Sequence, residues 1–288
     1  MIIVDYMQIA MASYVHNKDC TDGDYQLARH MILNSLRFYN KKFSSQYGDI
    51  VIATEGRNSW RKKVFPHYKA SRKKNRDKDS RDWSLVFDTI NKIQEELRDH
   101  SPWKLINVSG AEGDDIIAVV TKTTQDFGCN EDVMIISSDK DFVQLHRYNN
   151  VRQFSPIQKK FVTEPNVSRY MIQHVVKGDV GDGVPNIKSQ DDIFLVEGLR
   201  QKSITKDFLD KIYDNKNDLS LVLSPLEIER FKRNQQLVDL DYIDKTVEEN
   251  ILEQYNAPFN KSMRKSKFLN YLVKNRMGLL AAEIGDFY

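Results

Sequence analysis

Cysteine is nearly missing from this sequence: Cys20 and Cys129 are the only two in 288 residues. Their spacing matches neither a disulfide framework nor a zinc site, so reduced, structural thiols are expected. No apolar run approaches the ~20 residues needed to cross a bilayer, which argues against a membrane-spanning helix. A strand-like Ile2-Ile3-Val4 follows Met1 directly and leaves no room for a signal peptide. A cytoplasmic protein is the expectation. Repeats and low-complexity tracts are also lacking, and 40% hydrophobic with 29% charged residues is a globular composition, against bulk disorder.

What is present is unevenly spread. The net charge is only +2. Between Arg57 and Arg81, however, the basic residues are Arg57, Arg61, Lys62, Lys63, Lys69, Arg72, Lys73, Lys74, Arg76, Lys78 and Arg81, against Asp77 and Asp79 alone. The rest must then lean acidic, and a near-neutral total hides a bipolar molecule. The polycationic stretch has few apolar residues at any useful period, so it is expected to be poorly ordered without a partner. A solvated linker and a nucleic-acid-binding segment both fit it.

The stretch Val133-Met134-Ile135-Ile136-Ser137-Ser138-Asp139-Lys140-Asp141-Phe142 organises the remainder. Its apolar run reads as a strand buried on both faces, although periodicity does not exclude a short buried helix. It ends on two aspartates whose mutual repulsion, at ~5 Å and an effective dielectric of ~20, is about 3 kcal/mol. A helix-capping turn at Asp139 and a cation site are the two accounts.

Comparable strands are expected at Met1 to Asp5, Ile50 to Ala53 and Lys104 to Val108. Helical periodicity covers Asp24 to about Phe43, Trp83 to Leu97, Ile116 to Val120 and the segment after Pro165. Val151 to Phe154 and Lys160 to Val162 read as a hairpin. From Ile187 onward only amphipathic helical patterns occur. Alternation of strand and helix followed by a helical third predicts an α/β domain with a mostly parallel sheet over 1–178 and a helical domain over 179–288.

Every expected parallel strand leads to acids: Asp5; Glu55; Glu112, Asp114 and Asp115; Asp139 and Asp141. A later acidic loop adds Asp179 and Asp182. Acids in a first helical turn suit the macrodipole, which is the bland account of Glu112 to Asp115. Neighbouring strands in one sheet would bring all of these carboxylates to its carboxyl edge, where α/β sheets bind ligands. The ligands are hard oxygens without a recurring His or Cys, so Mg²⁺ or Mn²⁺ is indicated and zinc is not. So many acids suit two ions, which ~4 Å apart serve phosphoryl hydrolysis. The basic segment, interleaved with Trp60, Phe65, His67 and Tyr68, then suits phosphates and stacked bases.

The run Trp60 to Arg72, Glu112-Gly113-Asp114-Asp115, Ser137-Ser138-Asp139-Lys140-Asp141 and Gly178-Asp179-Val180-Gly181-Asp182 resembles, in the same order, the motifs of the 5′-nuclease (flap endonuclease) family. The resemblance covers residues 1 to about 186 and implies a PIN-like nuclease fold. It implies a two-metal phosphodiesterase that removes RNA primers and adjacent 5′ ends or flaps from lagging-strand DNA. In that family's pattern Asp5, Glu55, Glu112, Asp114 and Asp139 surround a first Mg²⁺, while Asp115, Asp141, Asp179 and Asp182 serve a second, largely through water. The family usually has Asp where this chain has Glu55, so a longer arm must reach the ion or hold it through water. The resemblance implies that Lys69, Arg72, Asp114 and Asp139 carry catalysis. An arch at about 57–81 supplies Arg61, Tyr68, Lys69, Arg72, Lys73, Lys74 and Arg76 to nucleic acid. The resemblance also implies a helical hairpin at about 167–197 that grips the duplex; Asn186 to Asp191 replaces the family's usual Gly-x-Gly turn and following Lys, with Lys188 expected to do part of its work.

The implied partners are RNA–DNA hybrid, duplex and 5′-flap DNA, a single-stranded-DNA-binding protein and a sliding clamp, with the protein a monomer. A clamp-binding tail and a frayed helix end are the two readings of Ile284 to Tyr288. The alternative to an enzyme is a non-catalytic binder of forked DNA whose acids hold a structural ion. A phosphatase of small substrates makes poor use of the basic arch.

Overall fold

Branched aliphatic side chains make up most of the central strands, and those strands are buried throughout their apolar length. The computed structural model describes residues 1–15, 24–77, 79–125, 129–262 and 264–288. Along the chain run β1 (Ile2–Asp5), α1 (Tyr6–Ala10), a π-helical turn (Met11–Val15), α2 (Tyr25–Tyr47), β2 (Ile50–Ala53), α3 (Arg61–Val64), α4 (Ala70–Arg76) and α5 (Trp83–His100). Next come β3 (Lys104–Ile106), α6 (Gly113–Thr123), β4 (Val133–Ile136), a 3₁₀ helix (Lys140–Arg147), β5 (Val151–Ser155), β6 (Lys160–Val162) and α7 (Val167–Lys177). The later helices are α8 (Lys206–Asp214), α9 (Pro225–Val238), α10 (Lys245–Asn256), α11 (Arg264–Lys274) and α12 (Gly278–Ala282), and a 3₁₀ helix (Ile284–Phe287) follows them.

The sheet order is β3-β2-β1-β4-β5-β6, parallel except for the β5–β6 hairpin. Parallel strands connected through helices need cover on both faces, which is why β1, β2 and β4 lack polar alternation. The mostly parallel α/β sheet expected from the sequence is therefore present. The run Val133 to Ile136 is a strand, not a buried helix.

The chain packs into two units. The first holds Met1–Arg57, Arg81–Thr163 and Glu248–Tyr288; the second holds Asn58–Ser80 and Glu164–Val247. This packing differs from a linear division at residue 178. The last helices join the α/β unit because their apolar faces complete its core: Phe268, Leu272, Leu280 and Phe287 share one cluster with Ile2, Leu33 and Val86. A polar knot fastens them there. Arg29, 1% exposed, donates to Asn275 Oδ1 at 2.8 Å and pairs with Glu96 at 3.5 Å. Tyr271 and Tyr25 both donate to the same Glu96 carboxylate. Burial, then the bond to Glu96, pushes the Tyr25 hydroxyl up to about 12, so it stays a donor.

In the second unit the basic segment is not a bare linker. It carries α3 and α4, and Phe65 and Tyr68 are buried in a core with Val176, Ile187 and Val238. The expectation of poor order overlooked these two aromatics, which the helical unit has the apolar surface to receive. Cys129 is an exposed free thiol, and Cys20 lies outside the described residues.

Candidate functional site

Strand register puts the first acids together. Asp5 pairs with Ala53, and Val4 pairs with Ile136, so Ser137 is the next residue beside Asp5. Ser137 Oγ donates to Asp5 Oδ2 at 3.0 Å and accepts from Asp139 N at 3.1 Å. Asp139 Oδ1 in turn accepts from Asp141 N at 3.0 Å, starting the 3₁₀ helix. The other Asp5 oxygen caps α1 through Gln8 N at 3.1 Å. Asp5, Asp139 and Asp141 thus sit on one chain of hydrogen bonds at the carboxyl edge of the sheet.

A second set of bonds aligns the loops after β2 and β3. Asn107 Nδ2 donates to Thr54 Oγ1 and to Glu55 O, both at 2.8 Å. Gly56 N donates to Ala111 O at 2.9 Å, and Gly110 N to Arg57 O at 2.7 Å. The approach requires glycine: a Cβ on Gly56 would stand 1.8 Å from the Val108 carbonyl oxygen. This backbone zipper sets exposed Glu55 alongside the segment that ends in Glu112. Glu112 then opens α6, which packs across β1 and β2. Asp114 and Asp115 occupy the first turn of α6, at the positive end of its dipole.

Asp115 Oδ2 accepts from Glu112 N at 2.9 Å, and its side chain has no exposed surface. It braces the turn that presents Glu112. Glu55 and Asp139 are exposed, and Asp5, Asp114 and Asp141 half-buried. The donors here are carboxylate oxygens, a set that fits hard divalent cations such as Mg²⁺ that retain part of their water.

Gln153 is a residue that sequence reasoning missed. It is 1% exposed on β5, opposite Ile135 of β4, and its Nε2 donates to Ser137 O at 2.9 Å and Asp139 O at 2.6 Å. His146 Nε2 meets its Oε1 at 3.0 Å. A polar amide in the middle of a strand, next to apolar Phe154, was the available signal. Gln153→Leu is expected to cost ~2–3 kcal/mol in urea unfolding, because it removes the amide donor that two carbonyls share. It should also lower the Mg²⁺-induced rise in melting temperature. An unchanged rise would separate Gln153 from the acid cluster.

In the second unit Asp182 is the hub. Tyr68 Oη donates to its carboxylate at 2.7 Å, Arg72 forms an ion pair with it, and Lys69 Nζ lies at 3.8 Å. Lys69 N also donates to Asp182 O at 2.7 Å. Asp179 supports this loop, its Oδ1 accepting from Asp182 N at 3.0 Å and its backbone bridging to Val184. Gly178, at φ 66°, admits no Cβ because Val184 O would be 2.3 Å away. Asp182, expected at a second ion, is therefore engaged by the basic residues of its own unit.

Two expected nucleic-acid contacts are buried. Arg61 is 3% exposed, donates to Leu237 O at 2.8 Å and lies over the Trp60 ring; Tyr68 is 2% exposed. Both pack the segment against the second unit's core. Lys69 and Arg76 are half-buried and Arg72 is exposed. The Lys188 ammonium lies 3.5 Å from the Phe208 ring centroid. The side chains of Lys73 and Lys74 lie outside the described residues.

Comparison with known proteins places the chain in a family. Residues 1–174 match the family described as 5'-3' exonuclease, N-terminal resolvase-like domain, and residues 165–287 match the T4 RNase H C-terminal family. The ribonuclease H of Enterobacteria phage T4 is 33% identical over 293 residues, spanning 99% of this chain and 95% of that protein. A 5'-3' exonuclease of Buchnera aphidicola is 28% identical over 210 residues, spanning 68% of this chain and 69% of its own length. In fold the chain is similar to the bacteriophage T5 flap endonuclease in a pseudo-enzyme-product complex with DNA and metal ions: TM-score 0.61, 18% identity, 88% of this chain and 98% of that one. A T5 5'-exonuclease with bound zinc gives TM-score 0.61 at 15% identity, covering 93% and 99% of the two chains. The sheet, its edge of carboxylates and these matches together establish that the chain belongs to the 5'-3' exonuclease family, with a C-terminal region of the T4 RNase H type.

Proposed function

We propose that the protein is a metal-dependent 5′ nuclease that hydrolyses phosphodiesters of RNA primers on DNA and of 5′ ends or flaps. The observation that carries this reading is the register of β1 and β4, which joins Asp5 to Asp139 through Ser137. Carboxylates gathered at one sheet edge repel one another unless cations are bound between them. Two Mg²⁺ ions there, replaceable by Mn²⁺, would supply charge neutralisation and activation of water.

The chain's own residues orient and bind. Ser137 fixes the direction of the Asp5 carboxylate, and Gln153 fixes the turn that presents Asp139. Glu55, Glu112 and Asp114 complete the oxygen donors. Asp182 holds Lys69 and Arg72 in a defined geometry, so that little side-chain entropy is lost when they meet the scissile phosphate. Lys73, Lys74, Arg76 and Lys188 add sequence-independent affinity for the backbone, a contribution that salt weakens. No described helix is long and apolar enough to cross a membrane.

The test uses a 5′-labelled flap and an RNA-primed duplex. Short labelled products are expected in Mg²⁺ and none in chelator. Intact substrate at micromolar protein, with binding to forked DNA retained, would replace this reading with a non-catalytic binder.

A further inference from the structure

The sheet of the first unit ends on β6, which among the described strands pairs with β5 alone. An edge strand keeps a row of backbone N–H and C=O groups pointing outward, a template for another extended chain. One face of this edge is aromatic. Phe161 lies opposite Phe154 in the register and packs on it at 5.6 Å, and on Phe43 of α2 at 6.4 Å, between ring centroids, yet 49% of it is exposed. From there the surface runs beneath the Lys42 ammonium, 3.9 Å from the Phe154 centroid, to Phe38, which is 52% exposed.

The charge on the elements that form this surface has one sign. Residues 34–47 and 151–163 contain no Asp or Glu, whereas they carry Arg37, Lys41, Lys42, Arg152, Lys159 and Lys160. Asp286 takes up Arg37 and Lys41, and Arg152 and Asp132 both stand near the Tyr47 hydroxyl. The surplus therefore rests on Lys42, Lys159 and Lys160, all exposed. It disfavours a second copy of this chain, because paired β6 edges would set lysines against lysines. Nucleic acid matches the charge but does not continue a β ladder. An acidic polypeptide does both. Lys160 lies opposite Ser155, so it faces the other side of the sheet from Phe161. An added strand would alternate in step, with apolar side chains on the Phe161 face and carboxylates on the Lys160 face.

We propose that the β6 edge docks an extended acidic segment of a protein partner, its apolar side chains on the surface from Phe161 to Phe38 and its carboxylates on Lys159 and Lys160. The surface uses none of the residues assigned to cleavage, so the inference stands apart from the nuclease reading.

The probe is a fluorescein-labelled heptapeptide that alternates glutamate with valine, its binding to the full chain followed by anisotropy. Micromolar binding is expected, and Lys160→Glu should weaken it about tenfold. Phe38→Ser, at a surface position, should weaken it severalfold. The matching lysine–valine peptide should not bind. At saturation, amide hydrogen exchange at residues 160–162 should slow by about tenfold, a change that attraction between side chains alone would not produce. Absence of binding at millimolar peptide, equal binding of both peptides, wild-type affinity in both variants, or unchanged exchange along β6 overturns the proposal. A dimer in sedimentation that Phe38→Ser dissolves would assign the surface to a second copy instead. Single-stranded DNA binding lost in Phe38→Ser, with no peptide bound, would assign it to nucleic acid.

Discussion

Asp139→Asn is expected to reduce Mg²⁺-dependent cleavage by about a thousandfold, which is ~4 kcal/mol of lost transition-state stabilisation. The replacement is close to isosteric, and its amide oxygen still accepts from Asp141 N, the bond that starts the 3₁₀ helix. What disappears is one negative charge at an exposed point of the acid edge. The fold should therefore survive, and in chelator the variant should melt no lower than wild type, since one negative charge leaves an edge that several acids share. In wild type, Mg²⁺ at 100 times its dissociation constant should add about 2.7 kcal/mol of stability. The variant should gain less. Cleavage at the wild-type rate, or a wild-type melting temperature indifferent to Mg²⁺, would show that the carboxylates do not form an ion site.

Phe287→Ala should be the most destabilising of the substitutions considered, at ~3–5 kcal/mol in urea unfolding. Phe287 is fully buried between Trp103, at 5.5 Å between ring centroids, and Phe268, at 5.0 Å. Its neighbour Asp286 receives Arg37 at 2.6 Å and Lys41 at 3.1 Å, and its carbonyl accepts from Asn40 at 2.8 Å. These bonds hold the chain end against α2, so the cavity cannot relax by simple fraying. The same burial bears on Ile284 to Tyr288 as a clamp-binding tail. Its central aromatic is core, and presenting it to a partner would first cost the packing that the alanine variant loses. A loss below about 1 kcal/mol would mean that the end is only loosely docked.

The strands and their acids were legible in the sequence for a local reason. Ile2 to Val4, Ile50 to Ala53 and Val133 to Ile136 are too apolar for any exposed face, and in parallel sheets the residues that follow such runs gather at one edge. The basic segment was legible as charge, though not as structure. Phe65 and Tyr68 looked like stacking platforms because nothing local distinguishes an aromatic that meets a base from one that meets Val176 or Val238. Arg61 likewise counted as a cation, yet its guanidinium is used on a backbone carbonyl of Leu237.

The sequence by itself determined which chemistry is available: carboxylates after β1, β2, β3 and β4, cations in one run, and apolar faces on the helices, all properties of residues a few positions apart. Tertiary structure alone decided which of those groups work together. Ser137 and Gln153 became supports for Asp5 and Asp139, Asp182 became the partner of Lys69 and Arg72, and the C-terminal helices completed the core of the α/β unit. Each of these pairings joins residues distant in the chain, and no local pattern encodes a partner that only the closed fold brings within hydrogen-bonding range.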